Sequence, residues 1–457
     1  MITLLPQLSF RKVIFVIGAL VLSVINWMAE GMLSNNGDFW RVSRLLRLSF
    51  PTGEVASTSW PFENGPTHHA ATLFAAVCRI IDLALKPFHL ESFNMLWLYV
   101  PLCLMYFIGT FLATNYLRSR SDVIVGILFI IVFAIYGFIT KSFYEESLLL
   151  ILAPWLYWAI RVFHQSNKVF PVLVVGFLVV ATKQQSMALI PAILAVMFFK
   201  SRWNRKTAVQ VFAVLTALTI AALTLNIRIG VFRYTDANRY DRLMNGVGAA
   251  MGNIAFQHGS HSDEWRGAMT DNRGFANPSV TGRDSCQAIP PDVRQYLGSA
   301  NWPLGIDLQR NNAIEYEKII HAGRWSSFFK VLGTCPVPST KLLVNMTVGA
   351  VRTDYRMDYI RTQRSDHILL RPFIWIRDAC LHFWGWGMAF LALLTLARLR
   401  SWKHRLAGLS CFLMLPFGVI AGDGFYEFEK HTIVFIGFFP LIYLLFQTSV
   451  SKPKSRD

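Results

Sequence analysis

The feature that most constrains this chain is a series of apolar runs, each almost free of Asp, Glu, Lys and Arg between its ends. They fall at roughly 13–32, 95–116, 123–140, 148–160, 169–182, 186–199, 208–228, 376–397, 406–421 and 432–448. A helix needs about 20 apolar residues to cross the hydrocarbon core of a bilayer. Most of the runs approach that length. The runs 169–182 and 186–199 are shorter and fit either a tilted passage or a re-entrant hairpin. Apolar residues make up 54% of the 457, charged residues only 16%, and 36 are Phe. Mean hydropathy is +0.40. Such a surface cannot be kept in water, so the expected fold class is an all-α polytopic membrane protein with about ten transmembrane helices.

The formal net charge of +17 raises the question of nucleic acid. The basic residues, however, lie in short clusters between apolar runs, with no aromatic-interleaved basic surface, so nucleic acid is not an expected partner. Counted by loop parity, one side of the bilayer receives Arg11, Lys12, Arg118, Arg120, Arg161, Lys168, Lys200, Arg202, Arg205, Lys206, Arg398, Arg400, Lys403, Arg405, Lys452, Lys454 and Arg456. Against them stand only Asp122 and Asp457. Short loops rich in Lys and Arg stay in the cytoplasm, so that side is cytoplasmic and carries both termini. The segment Ile25-Asn26-Trp27-Met28-Ala29-Glu30 is a poor cleavage site, so the first run is expected to be an uncleaved helix.

The opposite side then holds a first loop at 33–94 and a large loop domain at 229–370. These separate a transmembrane module at 1–228 from C-terminal helices at 371–457. In the first loop, Leu73, Phe74, Val77, Ile80, Ile81 and Ala84 recur at helical spacing, with Arg79, Asp82 and Lys86 on the other face. This pattern predicts an amphipathic helix over 70–86 lying along the bilayer surface. In the large loop, Tyr316 to Leu332 reads as helical. Cys286 and Cys335 both fall there and can pair if the loop is extracytoplasmic. Cys78, Cys103, Cys380 and Cys411 sit in or beside apolar segments and read as packing residues. His258, His261, Asp263 and Glu264 have a spacing that a metal can use, but around Gly259 they read more simply as a solvated turn. Asn345-Met346-Thr347 fits a glycosylation sequon, a pattern too common to weigh.

The unusual polar residues gather on that same extracytoplasmic side. Asp38 and Arg41 follow the first helix in Ser34-Asn35-Asn36-Gly37-Asp38-Phe39-Trp40-Arg41. Lys141, Glu145 and Glu146 lie between the third and fourth runs, where one of the two acids is expected to be solvated. Lys183 lies in Ala181-Thr182-Lys183-Gln184-Gln185, a turn too short to stand clear of the membrane. Asp423, Glu427, Glu429, Lys430 and His431 precede the last run. A carboxylate there can deprotonate a hydroxyl, and cations can neutralise a leaving phosphate. The spans lack the mid-membrane ionisable residues that ion-coupled transporters use.

The order of these parts resembles the GT-C superfamily of membrane glycosyltransferases. Its members carry a catalytic Asp or Glu close after the first helix, surface-lying helices, and a large extracytoplasmic loop after the seventh span. Ala181-Thr182-Lys183-Gln184 is similar to the Leu-Thr-Lys-Gly-Pro turn of protein O-mannosyltransferases and lipid A aminoarabinose transferases, with Gln184-Gln185 standing where those have Gly-Pro. Ser142-Phe143-Tyr144-Glu145-Glu146-Ser147-Leu148 resembles the Phe-Ser/Tyr-x-Glu-Ser-Leu motif of several GT-C mannosyltransferases. The family often has two adjacent acids in the first loop. Here Asp38 stands alone, which leaves the participation of a divalent metal open, and no cofactor is otherwise implied.

The resemblance implies an inverting glycosyltransferase of the inner (plasma) membrane. Its partners would be a polyprenyl-phosphate-linked sugar donor, a glycan or lipid-linked acceptor, and membrane lipids. Asp38 would be the general base. Lys183, with Lys141 or Arg41 assisting, would hold the leaving phosphate, and Glu145 or Glu146 would orient hydroxyls. Lys430 and His431 complete the candidate binding set. Two rivals stand beside this expectation. An O-antigen polymerase or ligase would use an arginine pair from Arg233, Arg239 and Arg242. A lipid-linked glycan flippase would survive loss of Asp38.

Overall fold

The computed structural model describes residues 10–29, 59–61, 73–88, 90–115, 120–198, 205–228, 312–337 and 367–377, with scattered positions besides. The described chain is predominantly helical. In order it forms α1 (Phe10–Ala29), α2 (Leu73–Leu85), α3 (Leu96–Ala113), α4 (Arg120–Tyr136), α5 (Glu146–Ser166), α6 (Phe170–Thr182), α7 (Leu189–Phe198), α8 (Arg205–Arg228), α9 (Ala313–Ala322) and α10 (Trp325–Thr334). One small antiparallel ribbon adds to the all-α expectation. It pairs β1 (Ser59–Pro61) with β2 (Ser92–Asn94), setting Trp60 opposite Phe93 just before α3 begins.

Among the described residues four helical segments, Lys12–Ala29, Leu96–Ala113, Asp122–Lys141 and Glu146–Ser166, are long and apolar enough to cross a membrane. They coincide with the first four apolar runs. α6 and α7 are apolar but short, at 13 and 10 residues, and α8 covers the run at 208–228. The last three runs lie almost wholly outside the described residues. Pro101 and Pro154 stand inside α3 and α5, a placement tolerated where neighbouring helices satisfy the freed backbone groups. α5 ends where Asn167 turns left-handed at φ 61° and its N–H reaches the carbonyl of Phe163. Asn tolerates that conformation at a helix C-terminus better than most residues do.

α5 forms the centre of the bundle, packed against α3 on one flank and α6 on the other, and α6 in turn packs on α8. Close approach depends on small residues. Gly109 of α3 lies under the Trp155 ring of α5, where a Cβ would fall 2.7 Å from the indole, and Trp155 donates its Nε1–H to the Met105 carbonyl. Gly176 of α6 likewise faces Leu218 of α8. Burial falls off outward. The α5 window is 72% buried and the α1 window only 22%. Ile14, Ile17, Leu20, Val21 and Val24 of α1 are all exposed, which is the surface a lipid-facing helix presents.

Hydrogen bonds and ion pairs divide the bundle into two ends. At one end Arg161 of α5 donates to the Ala113 carbonyl, where α3 stops, and pairs with Asp122 in the first turn of α4. Gln210 of α8 reaches the Asn167 carbonyl at the same end. At the other end lie the C-terminus of α1, the link from α4 to α5, and the link from α6 to α7.

The structure corrects two sequence expectations. α2 runs over 73–85, but its faces are not divided as predicted. Phe74, Cys78 and Asp82 are buried, while Ile80 is 67% exposed and Leu83 48%. The helix lies against α3 and α6, and Asp82 is carried into that contact by its ion pair with Arg79, one turn away. The apolar side chains of Ile80, Leu83 and Phe88 are thereby left facing outward. Burial also pushes the Cys78 thiol well above its ordinary range, so it is a packing group and not a nucleophile. The second correction concerns the helix expected over 316–332, which is two helices broken at Gly323-Arg324. A Cβ at Gly323 would overlap the Arg239 carbonyl. Arg242, buried, donates to the Gly323 carbonyl at 2.8 Å and stacks on the Trp325 ring. These contacts fix the corner.

Candidate functional site

The link between α4 and α5 is built around one carbonyl. After α4 the chain tightens into a 3₁₀ turn, Gly137–Lys141. The Ile139 carbonyl then accepts from the Ser142 backbone N–H at 3.0 Å, from the Ser142 hydroxyl at 2.6 Å and from the Ser147 hydroxyl at 2.7 Å. This knot reverses the chain within a few residues and starts α5 at Glu146. Glu145 and Glu146 consequently face inward. They are 4% and 0% exposed, so neither is solvated, contrary to the sequence expectation. The cause is the tightness of the reversal, which leaves no length of chain to carry a carboxylate out to water. A carboxylate in the first turn of a helix is favoured by the exposed N–H groups there.

The link between α6 and α7 supplies the counter-charge. Lys183 is a single extended residue, φ −153° and ψ 149°, between the end of α6 and a 3₁₀ turn at Gln184–Ala188. Its ammonium forms an ion pair with Glu146, and the two side chains are 8% and 0% exposed. No residue of this link has positive φ, so the backbone needs no glycine at position 184. The Ser186 N–H closes the turn on the Lys183 carbonyl at 3.0 Å. The Ser186 hydroxyl is fully buried and has no hydrogen-bond partner among the described residues.

Lys141 is set differently. It is 1% exposed. Its ammonium donates to the Trp27 carbonyl at 2.9 Å and lies 5.4 Å from the Trp27 ring centroid. The Trp27 carbonyl belongs to the last turn of α1, where carbonyls have no partner within the helix, and a cation at that end also complements the helix dipole. Two further bonds hold the same part of α1. The Tyr99 hydroxyl donates to the Ser23 carbonyl at 2.6 Å, and the Asn26 amide donates to the Phe133 carbonyl at 3.1 Å.

Four sequence candidates, Lys141, Glu145, Glu146 and Lys183, therefore meet at one end of the bundle, beside the end of α1. Lys183 and Glu146 are brought into direct contact, while Lys141 is committed to α1. Asp38, Arg41, Lys430 and His431 lie outside the described residues, as do His258, His261, Asp263, Glu264 and the 345–347 sequon. Among the described residues no group of three or more His, Cys, Asp or Glu is gathered as a metal site. Sequence reasoning missed Asn26, Tyr99 and Ser186. For Asn26 the signal was present, a lone amide in an otherwise apolar run. Ser186 carried none, since a serine in a turn is ordinary.

The large loop contributes one further fact. Cys335 is disulfide-bonded, whereas Cys78, Cys103 and Cys380 are free. Arg242, one of the arginines a polymerase would need, is buried in the α9–α10 corner. Comparison of the chain with known protein families, with curated proteins and with solved structures finds no match in any of the three.

Proposed function

We propose that the protein is an integral membrane glycosyltransferase of GT-C type, moving a sugar from a polyprenyl-phosphate donor onto an extracytoplasmic glycan or lipid acceptor. The observation that carries this reading is the buried Lys183–Glu146 pair. Charged groups buried at the end of a membrane bundle are expensive to keep, and they mark a functional site by default. An ammonium held there suits a phosphate that arrives on a lipid tail.

In the reaction the acceptor oxygen attacks the anomeric carbon while Asp38 takes its proton. The bond from that carbon to the phosphate oxygen breaks with inversion, and polyprenyl phosphate departs carrying the electron pair. Lys183 neutralises the charge that develops on the leaving phosphate. Glu145 orients hydroxyls of the sugar or acceptor. Lys141, capping α1, holds the end of the helix that the Asp38 segment follows in the chain. The working face is extracytoplasmic, on two grounds. The basic loops belong to the opposite end of the bundle, and a disulfide at Cys335 needs an oxidising compartment.

The test uses purified protein in nanodiscs, a panel of polyprenyl-phosphate sugars and a crude lipopolysaccharide acceptor. Wild type is expected to transfer sugar. Asp38→Asn should bind donor without transfer, and Lys183→Ala should lose donor binding. Transfer that survives in Asp38→Asn removes Asp38 from the mechanism, and a panel with no binding donor removes the glycosyltransferase reading.

A further inference from the structure

The Lys183–Glu146 pair poses a charge problem for any phosphate that uses Lys183. Together the two side chains are neutral, and both are shut away from water. A phosphodiester arriving at the ammonium adds one negative charge beside the Glu146 carboxylate. Releasing polyprenyl phosphate adds another. Like charges in a poorly solvated site oppose each other strongly, so the carboxylate and the phosphate compete for this ammonium.

We propose that Glu146 is a specificity-determining residue, an internal anion that occupies the phosphate position on Lys183 and yields it only to a phosphate delivered by the membrane. The proposal rests on the reading of Lys183 as the phosphate-binding cation. A tethered carboxylate competes at an effective concentration in the millimolar range or above. Free phosphate in the surrounding water cannot match that. A phosphate anchored in the bilayer can, because its tail concentrates it at the depth of the site.

Glu146 sits where an arriving anion would meet it, fully buried against Lys183. It stands at the first position of α5, where the unpaired backbone N–H groups favour an anion of either kind. The Ser186 hydroxyl, buried in the same turn as Lys183 and without a partner among the described residues, leaves a donor for an arriving anion. The role differs from that of a static buried salt bridge, which would be weakened by any intruding anion and would lose stability in proportion.

The experiment measures binding of two probes, farnesyl phosphate and inorganic phosphate, to the full-length protein in nanodiscs. Wild type is expected to bind farnesyl phosphate and to ignore inorganic phosphate. Glu146→Gln should bind farnesyl phosphate at least about tenfold more tightly and should now bind inorganic phosphate, with a ligand-dependent rise in melting temperature for both. Glu146→Asp keeps the charge and should keep the discrimination. If Glu146→Gln melts as a folded protein yet neither affinity changes, the internal-anion proposal is overturned while the phosphate site stands. If Glu146→Gln does not fold, Glu146→Ser replaces it with the same expectations. Lys183→Gln separates the two levels. Farnesyl phosphate binding that persists in it overturns the phosphate reading itself, and failure of every protein to bind either probe overturns both.

Discussion

Two buried lysines stand at the same end of the bundle, and each ammonium has a contact that a substitution can test. Lys183 meets a carboxylate. Lys141 meets a backbone carbonyl and an indole face. Lys141→Met keeps the length of the side chain but leaves the Trp27 carbonyl without its donor. It should lower stability by about 1.5–3 kcal/mol, the range for a hydrogen bond to a charged group. Denaturant titration of the solubilised protein measures this. Farnesyl phosphate binding should be retained in Lys141→Met, since its ammonium is bonded to α1; loss of binding with stability unchanged would return Lys141 to the phosphate site. The sequence could place Lys141, Glu145, Glu146 and Lys183 at helix ends, because apolar runs stop abruptly at charges. It could not say which lysine meets which partner. That depends on contacts between residues 37 and 114 positions apart in the chain, and such contacts leave no trace in local pattern. For the same reason one of two adjacent glutamates was expected in water, when the three bonds to the Ile139 carbonyl turn both inward.

At the level of elements, the first four apolar runs fall in described helices long and apolar enough to cross a membrane, because an apolar stretch in lipid must satisfy its backbone internally. The face of α2 was misjudged for a reason that periodicity cannot see. An Arg79–Asp82 pair lets an acid travel into a buried contact, and apolar residues then face out where lipid accepts them. Helix pairing was likewise not legible, and the close contact at Gly109 shows only in the fold. A side chain at that position must displace the Trp155 ring, which is rigid and anchored through Nε1 to Met105. Gly109→Val should therefore destabilise the α3–α5 pair by about 1–3 kcal/mol, the usual range for overpacking. Pairing Gly109→Val with Trp155→Ala should restore part of the loss. A Gly109→Val protein that melts like wild type would mean that α3 and α5 are not packed through this contact.

Across the whole molecule, the described contacts gather at two ends of the bundle. Arg161 and Asp122 sit at one end, Lys141, Glu146 and Lys183 at the other. The disulfide tests the assignment of sides. Three cysteines are free, which leaves Cys286 and Cys411 as partners for Cys335, and Cys411 falls inside an apolar run. Peptide mapping without reductant should recover Cys335 joined to Cys286. Reduction should then lower the melting temperature, since a loop cross-link of this kind typically contributes about 2–4 kcal/mol. A Cys335–Cys411 peptide would contradict the division of the chain into a loop domain at 229–370 and membrane helices after it.

The three bonds that fasten α1 also impose an order on biosynthesis. Their partners arrive late: Tyr99 is 76 residues after Ser23, Phe133 is 107 after Asn26, and Lys141 is 114 after Trp27. α1 is made before all three partners and exposes a largely apolar surface, so it can wait alone in the bilayer. It acquires a fixed place only once α4 and the turn after it have been inserted. A nascent chain that stops short of residue 141 therefore carries a first helix that is inserted but not yet docked.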